Sequence, residues 1–107
     1  MSVSPGDDPV LARVRAALTR MYGERIERVV LFGSRARGDA RPDSDYDIAV
    51  FLRDVTDMGR ELGRLSDLSS EFLFDDLSLV HALPWRAGAW RERTPLMHEL
   101  RKDGIDL

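Results

Sequence analysis

The sequence predicts an α/β (α+β) fold in which helices flank a small mixed β-sheet. Stretches with apolar residues at helical spacing alternate with short apolar runs of strand length, which is the pattern of a sheet covered by helices. The chain of 107 residues is long enough for one modest core and too short for two, so residues 1–107 are expected to form a single domain.

The N-terminal part predicts a helix followed by a strand. Residues 1–7 are expected to be loose. Asp8-Pro9 has the pattern of an N-cap and a first helical position, and Gly23 is placed to end the helix. The apolar positions between them have helical spacing: Val10, Leu11, Val14, Ala17, Leu18 and Met21. The first strand is predicted at about Arg28 to Phe32.

The central part predicts a turn, a loop and a second strand. Gly33 to Gly38 is expected to open a short helix. The segment from Asp39 to Ser44 is expected to be a loop, because the residue before Pro42 disfavours helix. The second strand is predicted from about Asp45 to Leu52.

The C-terminal half predicts a long helix at about Thr56 to Phe72, with an apolar stripe of Met58, Leu62, Leu65, Leu68 and Phe72. A third strand is predicted at about Phe74 to Val80, ending before Pro84.

The last segment, Trp85 to Lys102, has an interrupted helical tendency. Thr94-Pro95 has the pattern of a new helix start and Gly104 that of a stop. The sequence ends in a predicted short strand at Ile105 to Leu107.

Composition excludes several classes of protein. The chain has 16 basic and 19 acidic residues, a formal net charge of −3, which argues against a protein that coats nucleic acid. It contains no cysteine, so thiolate metal sites are unavailable. No apolar run approaches the ~20 residues that span a bilayer, and no signal-peptide pattern is visible. We therefore expect a cytoplasmic protein without membrane or direct nucleic-acid partners.

Two short patterns indicate nucleotide chemistry. Gly33-Ser34 follows an apolar run and is suited to a tight turn at which backbone amides approach an anion. Asp45 and Asp47 have i, i+2 spacing, which in a strand puts both carboxylates on one face, roughly 6–7 Å apart. Because adjacent carboxylates repel, such a pair favours a divalent cation.

A two-ion site also requires a third acidic oxygen from a neighbouring strand. Asp75 and Asp76 lie in the predicted third strand, where they point to opposite faces, so only one can contribute. Alternation does not decide between them, because strands of a covered sheet are apolar on both faces.

Gly33-Ser34, ten intervening residues and Asp45-Tyr46-Asp47 together resemble the signature of the polymerase-β-like nucleotidyltransferase superfamily. The fuller text, Gly33-Ser-Arg-Ala-Arg-Gly38 with Ser44-Asp-Tyr-Asp-Ile48, resembles its smallest branch, the minimal nucleotidyltransferases that act as MntA-type antitoxins beside HEPN-domain toxins. The resemblance extends over essentially the whole chain.

The resemblance implies a polymerase-β-like fold and Mg²⁺-dependent transfer of AMP from ATP at a two-ion site. It implies that Asp45, Asp47 and Asp76 hold the metals, and it selects Asp76 over Asp75. It further implies that Gly33 and Ser34 bind the terminal phosphates. Arg35, and less strongly Arg37 and Arg41, are candidates for neutralising phosphate, with a solvated surface position as the alternative.

Because 107 residues leave no length for a second, acceptor-binding domain, we expect a partner to supply the acceptor surface. The resemblance implies that this partner is a HEPN toxin and that the acceptor is the hydroxyl group of one of its tyrosines. Two alternatives stay open: an antitoxin that neutralises its toxin by binding alone, and a small-molecule nucleotidyltransferase of the aminoglycoside-modifying kind.

Other conspicuous side chains are interpreted as structural. His81 and His98 are isolated and are not expected to bind metal. Tyr46 should point to the face opposite the two aspartates, into the core, and Tyr22 is assigned to packing. Trp85 and Trp90 are expected to pack on the sheet; the alternative is that they form a patch that binds a partner.

Overall fold

The computed structural model describes residues 5–107, and in that range four helices surround a four-stranded sheet. The helices are α1 (Pro9–Tyr22), α2 (Ser34–Arg37), α3 (Met58–Asp76) and α4 (Pro95–Asp103); the strands are β1 (Ile26–Phe32), β2 (Tyr46–Leu52), β3 (Val80–Arg86) and β4 (Ile105–Asp106). No helix in this part of the chain is long and apolar enough to cross a bilayer.

The sheet is mixed, as predicted, and has the order β3-β2-β1-β4. β1 pairs antiparallel with both β2 and β4, whereas β2 and β3 are parallel and are connected through α3. β3 is therefore an edge strand.

Helices cover both faces of the sheet. On one face α1 and α3 pack through Leu18 and Leu65 against alternate strand residues such as Ile48 and Val50. On the other face α4 packs against the intervening residues, among them Phe51. Since side chains alternate along a strand, Asp47 belongs to the α4 face and Tyr46 to the α1/α3 face.

The predicted first helix is confirmed, including the residues that begin and end it. The Asp8 side chain accepts a hydrogen bond from the Val10 amide at 2.8 Å, Pro9 occupies the first turn, and Gly23 caps the C-terminus of α1. Pro5–Asp7, predicted to be loose, forms a 3-10 turn. The rest of the predicted loose segment, residues 1–4, lies outside the described residues.

The predicted third strand at Phe74 to Val80 is wrong. α3 continues through Asp75 and Asp76, and β3 begins only at Val80. Leu77 and Leu79 alternate as strand residues do. In the structure, however, Phe74 is 80% and Leu77 is 85% exposed, so these side chains are not part of a covered sheet. Of the predicted apolar stripe of α3, Leu62 is also exposed.

Pro84 was the misleading residue. It lies within β3, opposite Val50, although a proline lacks the amide of a normal strand residue. Its position is tolerated because β3 is an edge strand and needs hydrogen bonds on one side only.

The C-terminal prediction is partly confirmed. Trp85 belongs to β3 rather than to a helix. Thr94 caps α4 by accepting from the Met97 amide at 3.2 Å, and Gly104 ends that helix. The short terminal strand is present as β4 and pairs with β1.

Candidate active site

The glycine turn and the predicted aspartate lie against each other. Phe32 at the end of β1 is the register partner of Asp47 on β2, so Gly33 follows directly beside that carboxylate. Gly33 has a φ of 75°, and a Cβ built on it would stand 2.5 Å from Oδ2 of Asp47. Only glycine combines this conformation with so close an approach. The predicted association of turn and carboxylate is therefore present.

Negative charge is concentrated around Asp47. Its half-buried carboxylate has a pKa raised above the ordinary value, first by burial and also by the carboxylates of Asp45 and Glu99, while His81 acts in the opposite direction. Asp45 itself is exposed and stands one residue before β2. Asp45 and Asp47 thus form an acidic pair with one half-buried and one exposed member.

Asp76 does not join this pair. It lies at the end of α3, where it accepts from Nε of Arg13 on α1 at 3.2 Å. α1 and α3 cover the face of the sheet opposite Asp47, so the expected convergence of three carboxylates is wrong. Asp75, the other candidate, also lies on α3. In residues 5–107 no three histidine, cysteine or acidic side chains form a group that could hold a metal ion.

The neighbouring strand presents His81 where the third acid was expected. His81 is the parallel register partner of Asp47, and its Nδ1 lies 3.7 Å from Oδ1 of that residue. Paired residues on adjacent strands project to the same face, so His81 borders the site. The sequence interpretation as an isolated histidine missed this position because it placed the strand too early.

Glu99 is a second residue that sequence analysis missed. It comes from α4, contributes to the raised pKa of Asp47, and its Oε1 accepts from Nη1 of Arg37 at 3.0 Å. Arg37 also contacts Asp39 at 3.4 Å. No local pattern marks Glu99, since only the packing of α4 on the sheet brings it near Asp47.

The Arg35 side chain binds backbone carbonyl groups and an aromatic ring of its own chain. Its Nε and Nη2 donate to the Ser44 carbonyl at 3.0 and 2.8 Å, and Nη2 reaches the Pro42 carbonyl at 3.3 Å. Its guanidinium stacks 3.9 Å from the centre of the Tyr46 ring. These contacts hold the 39–45 loop against β2. A role of Arg35 toward phosphate stays a prediction.

Tyr46 is buried as predicted. Its hydroxyl donates to Oδ2 of Asp8 at 2.7 Å, which connects the start of β2 to the start of α1. Burial, followed by this hydrogen bond, raises the pKa of Tyr46 to about 12. The residue between the two acids therefore anchors their strand to the core.

The other predicted residues lie as follows. Ser34 begins α2, so its amide has no partner within the helix, and Arg41 is exposed in the loop. Trp85 packs on Phe51 with ring centres 6.2 Å apart, and Trp90 joins the same cluster, in agreement with packing on the sheet. His98 is exposed on α4, and Tyr22 is buried in the core.

Comparison of the sequence with known families matches residues 17–104 to the family described as polymerase beta, nucleotidyltransferase. Among curated proteins, a protein of Methanocaldococcus jannaschii, provisionally named a protein adenylyltransferase, is 19% identical over 98 residues. That alignment covers 92% of this chain and 95% of the relative.

Comparison of the structure with solved structures finds toxin–antitoxin proteins. A crystal structure of a toxin–antitoxin with AMP-PNP aligns with a TM-score of 0.59 and 22% identity, covering 88% of this chain and 69% of that one. A mutant MntA–HpeT toxin–antitoxin structure aligns with a TM-score of 0.58 and 23% identity, covering 90% and 70%. At these identities the likeness establishes the fold.

Proposed function

Because the chain belongs to the polymerase beta, nucleotidyltransferase family, we propose that it transfers AMP from ATP to a hydroxyl, a tyrosine, of a partner HEPN toxin and so acts as an antitoxin. The observation that carries the proposal is the contact of the Gly33 turn with Asp47, beside Asp45. The names of the similar proteins, a protein adenylyltransferase and a toxin–antitoxin with AMP-PNP, agree with it.

The donor atoms at this site fit Mg²⁺ with ATP bound. The carboxylates of Asp45 and Asp47 are hard oxygen ligands, and a cation beside them would offset the burial and the neighbouring carboxylates that raise the pKa of Asp47. Magnesium is commonly held by one or two carboxylates together with substrate phosphates, which suits a pair without a third acid. When bound, the ion supplies charge neutralisation on the triphosphate and the leaving pyrophosphate.

The chain's own residues position the reactants. The Gly33-Ser34 backbone and the Ser34 hydroxyl bind the terminal phosphates, and Arg37, tethered to Glu99, adds positive charge near them. The acceptor oxygen forms a bond to the α-phosphorus, the bond to the β-phosphate oxygen breaks, pyrophosphate leaves, and the hydroxyl proton is released to water. Catalysis of this kind consists mainly of placement and charge stabilisation.

The test is to incubate the protein with Mg²⁺, ATP labelled in the α-phosphate, and the protein encoded by the adjacent gene. Transfer of label to that protein, with the modified residue identified as tyrosine by mass spectrometry, is the expected result. Label on an aminoglycoside instead would replace the protein acceptor with a small molecule. Absence of any transfer in the presence of tight binding would overturn the enzymatic proposal.

One observation favours a second candidate, an antitoxin that acts by binding alone. His81 lies beside Asp47 on the neighbouring strand, where the sequence analysis expected the third carboxylate of a two-ion site. A protein that no longer catalysed transfer would not need that carboxylate.

A substitution at this position measures how far His81 shapes metal binding. We expect His81→Asp to lower the melting temperature of the metal-free protein, because it adds a negative charge beside Asp47 and Asp45. Excess MgCl₂ should then raise the melting temperature of the variant more than that of the parent, since a third oxygen ligand strengthens cation binding.

The control is His81→Asn, which removes the imidazole without adding charge. Thermal unfolding with EDTA and with magnesium checks both variants. An equal response of His81→Asp and His81→Asn to magnesium would contradict a cation site at Asp45 and Asp47.

A further inference from the structure

An exposed apolar surface adjoins the candidate active site. It consists of Leu73, Phe74, Leu77 and Leu79, at the end of α3 and in the connection to β3, and we call it the α3–β3 patch. All four side chains are exposed, Phe74 and Leu77 almost completely. Large apolar side chains grouped on the surface of a small protein commonly mark an interaction site.

The patch is continuous with the site through a groove of about 370 Å³. The groove lies between α3 and the start of β3, and its lining includes Leu73 and Leu79 of the patch together with Asp45 and His81 of the site. Ser66, Ser69 and Ser70 of α3 supply hydroxyl groups along it. A polypeptide that covers the patch can therefore extend along the groove to the exposed carboxylate of Asp45.

The backbone at Leu77 supports an interaction role. Leu77 caps α3 in the left-handed conformation, with a φ of 54°, where glycine or asparagine is the usual residue. Its side chain is almost fully exposed, so the folded chain gains no core packing from a leucine in this strained position. The Leu77 side chain is therefore available for a contact outside the chain.

The charge around the patch indicates the chemistry of the partner. Residues 66–81 contain no lysine or arginine, and Asp67, Glu71 and Asp75 among them are exposed acids. The fourth acid, Asp76, is paired with Arg13 of α1, so the end of α3 keeps an excess of negative charge. Two copies of this patch would bring like charges together, whereas a partner with an apolar centre and a basic rim would complement it.

We propose that the protein carrying the acceptor hydroxyl docks on the α3–β3 patch through an apolar surface rimmed by lysine and arginine, and reaches Asp45 through the adjoining groove. This inference rests on the proposed function for the identity of the site. It adds the surface that selects and orients the acceptor, on the β3 side of the acidic pair and away from the Gly33 turn.

The test uses the double variant Phe74→Ser/Leu77→Asn and the protein encoded by the adjacent gene. Both side chains are exposed and asparagine tolerates the left-handed conformation, so the fold is expected to be retained. We expect the affinity for the partner to fall by at least about tenfold, the scale on which loss of apolar anchors weakens an interface. The affinity for ATP and the melting temperature should stay at the parent's values.

The control is Leu62→Ser, which removes an exposed leucine of α3 that belongs neither to the α3–β3 patch nor to the groove. Unchanged partner affinity in the double variant, an equal loss in Leu62→Ser, or no binding by the parent would each overturn the docking proposal. A parent dimer that the double variant dissociates would assign the patch to self-association instead. Partner binding that needs the patch, without transfer of label, would uphold the docking surface and overturn the enzymatic function.

Discussion

The Asp47→Asn protein is expected to fold like its parent and to lose AMP transfer by on the order of 10²–10³-fold or more, the scale for removing one group that stabilises transition-state charge. The amide keeps the shape of the side chain but removes the negative charge beside the Gly33 turn. Because burial already disfavours that charge, the melting temperature should be equal to or higher than the parent's. Transfer of label from ATP and thermal unfolding check the two expectations.

Asp43→Asn is the matched control, since Asp43 is an exposed acid of the loop that leads to the same strand. It removes the same charge from the same region and should leave transfer within about twofold of the parent, as surface substitutions usually do. Equal transfer by Asp47→Asn and the parent would remove Asp47 from the catalytic machinery.

Replacement of Gly33 by alanine should have the second large effect. The added Cβ would overlap Oδ2 of Asp47, and the φ of 75° is unfavourable for alanine. The variant is expected to lose about 1–3 kcal/mol of unfolding free energy from backbone strain and to lose most of its transfer activity, because Asp47 must move. Chemical denaturation and the transfer assay measure the two effects.

Gly38→Ala separates strain from displacement. Gly38 has a φ of 84°, but a Cβ at that position would meet nothing within 4 Å. It should therefore show a comparable loss of stability while transfer is largely retained. Equal loss of transfer in the two variants would mean that the conformation of the 33–38 segment, and not the position of Asp47, limits activity.

Much of the fold was predictable because its signals are local. The Asp8 and Thr94 caps, the prolines after them and the glycines that end α1 and α4 act within a few residues. The contact of the Gly33 turn with Asp47 was predictable for a similar reason, since adjacent antiparallel strands place the end of one beside the start of the other.

The third strand was not predictable from the same signals. Leu77 and Leu79 alternate like strand residues, while Pro84 argues against the strand that actually contains it. Both signals were misleading for reasons that only the folded sheet shows. β3 lies at an edge of the sheet, where proline is tolerated, and Leu77 and Leu79 are exposed on the surface.

By itself the sequence determined the glycine turn, the acidic pair and the alternation of helices and strands, because each depends on the spacing of neighbouring residues. Only the tertiary structure decided that His81 and Glu99, rather than Asp76, stand near Asp47. The physical reason lies in the crossover helix α3. The residue at which α3 ends decides which residue of β3 pairs with Asp47, and the face of the sheet that α3 covers decides on which side Asp76 lies. The spacing of neighbouring residues encodes neither.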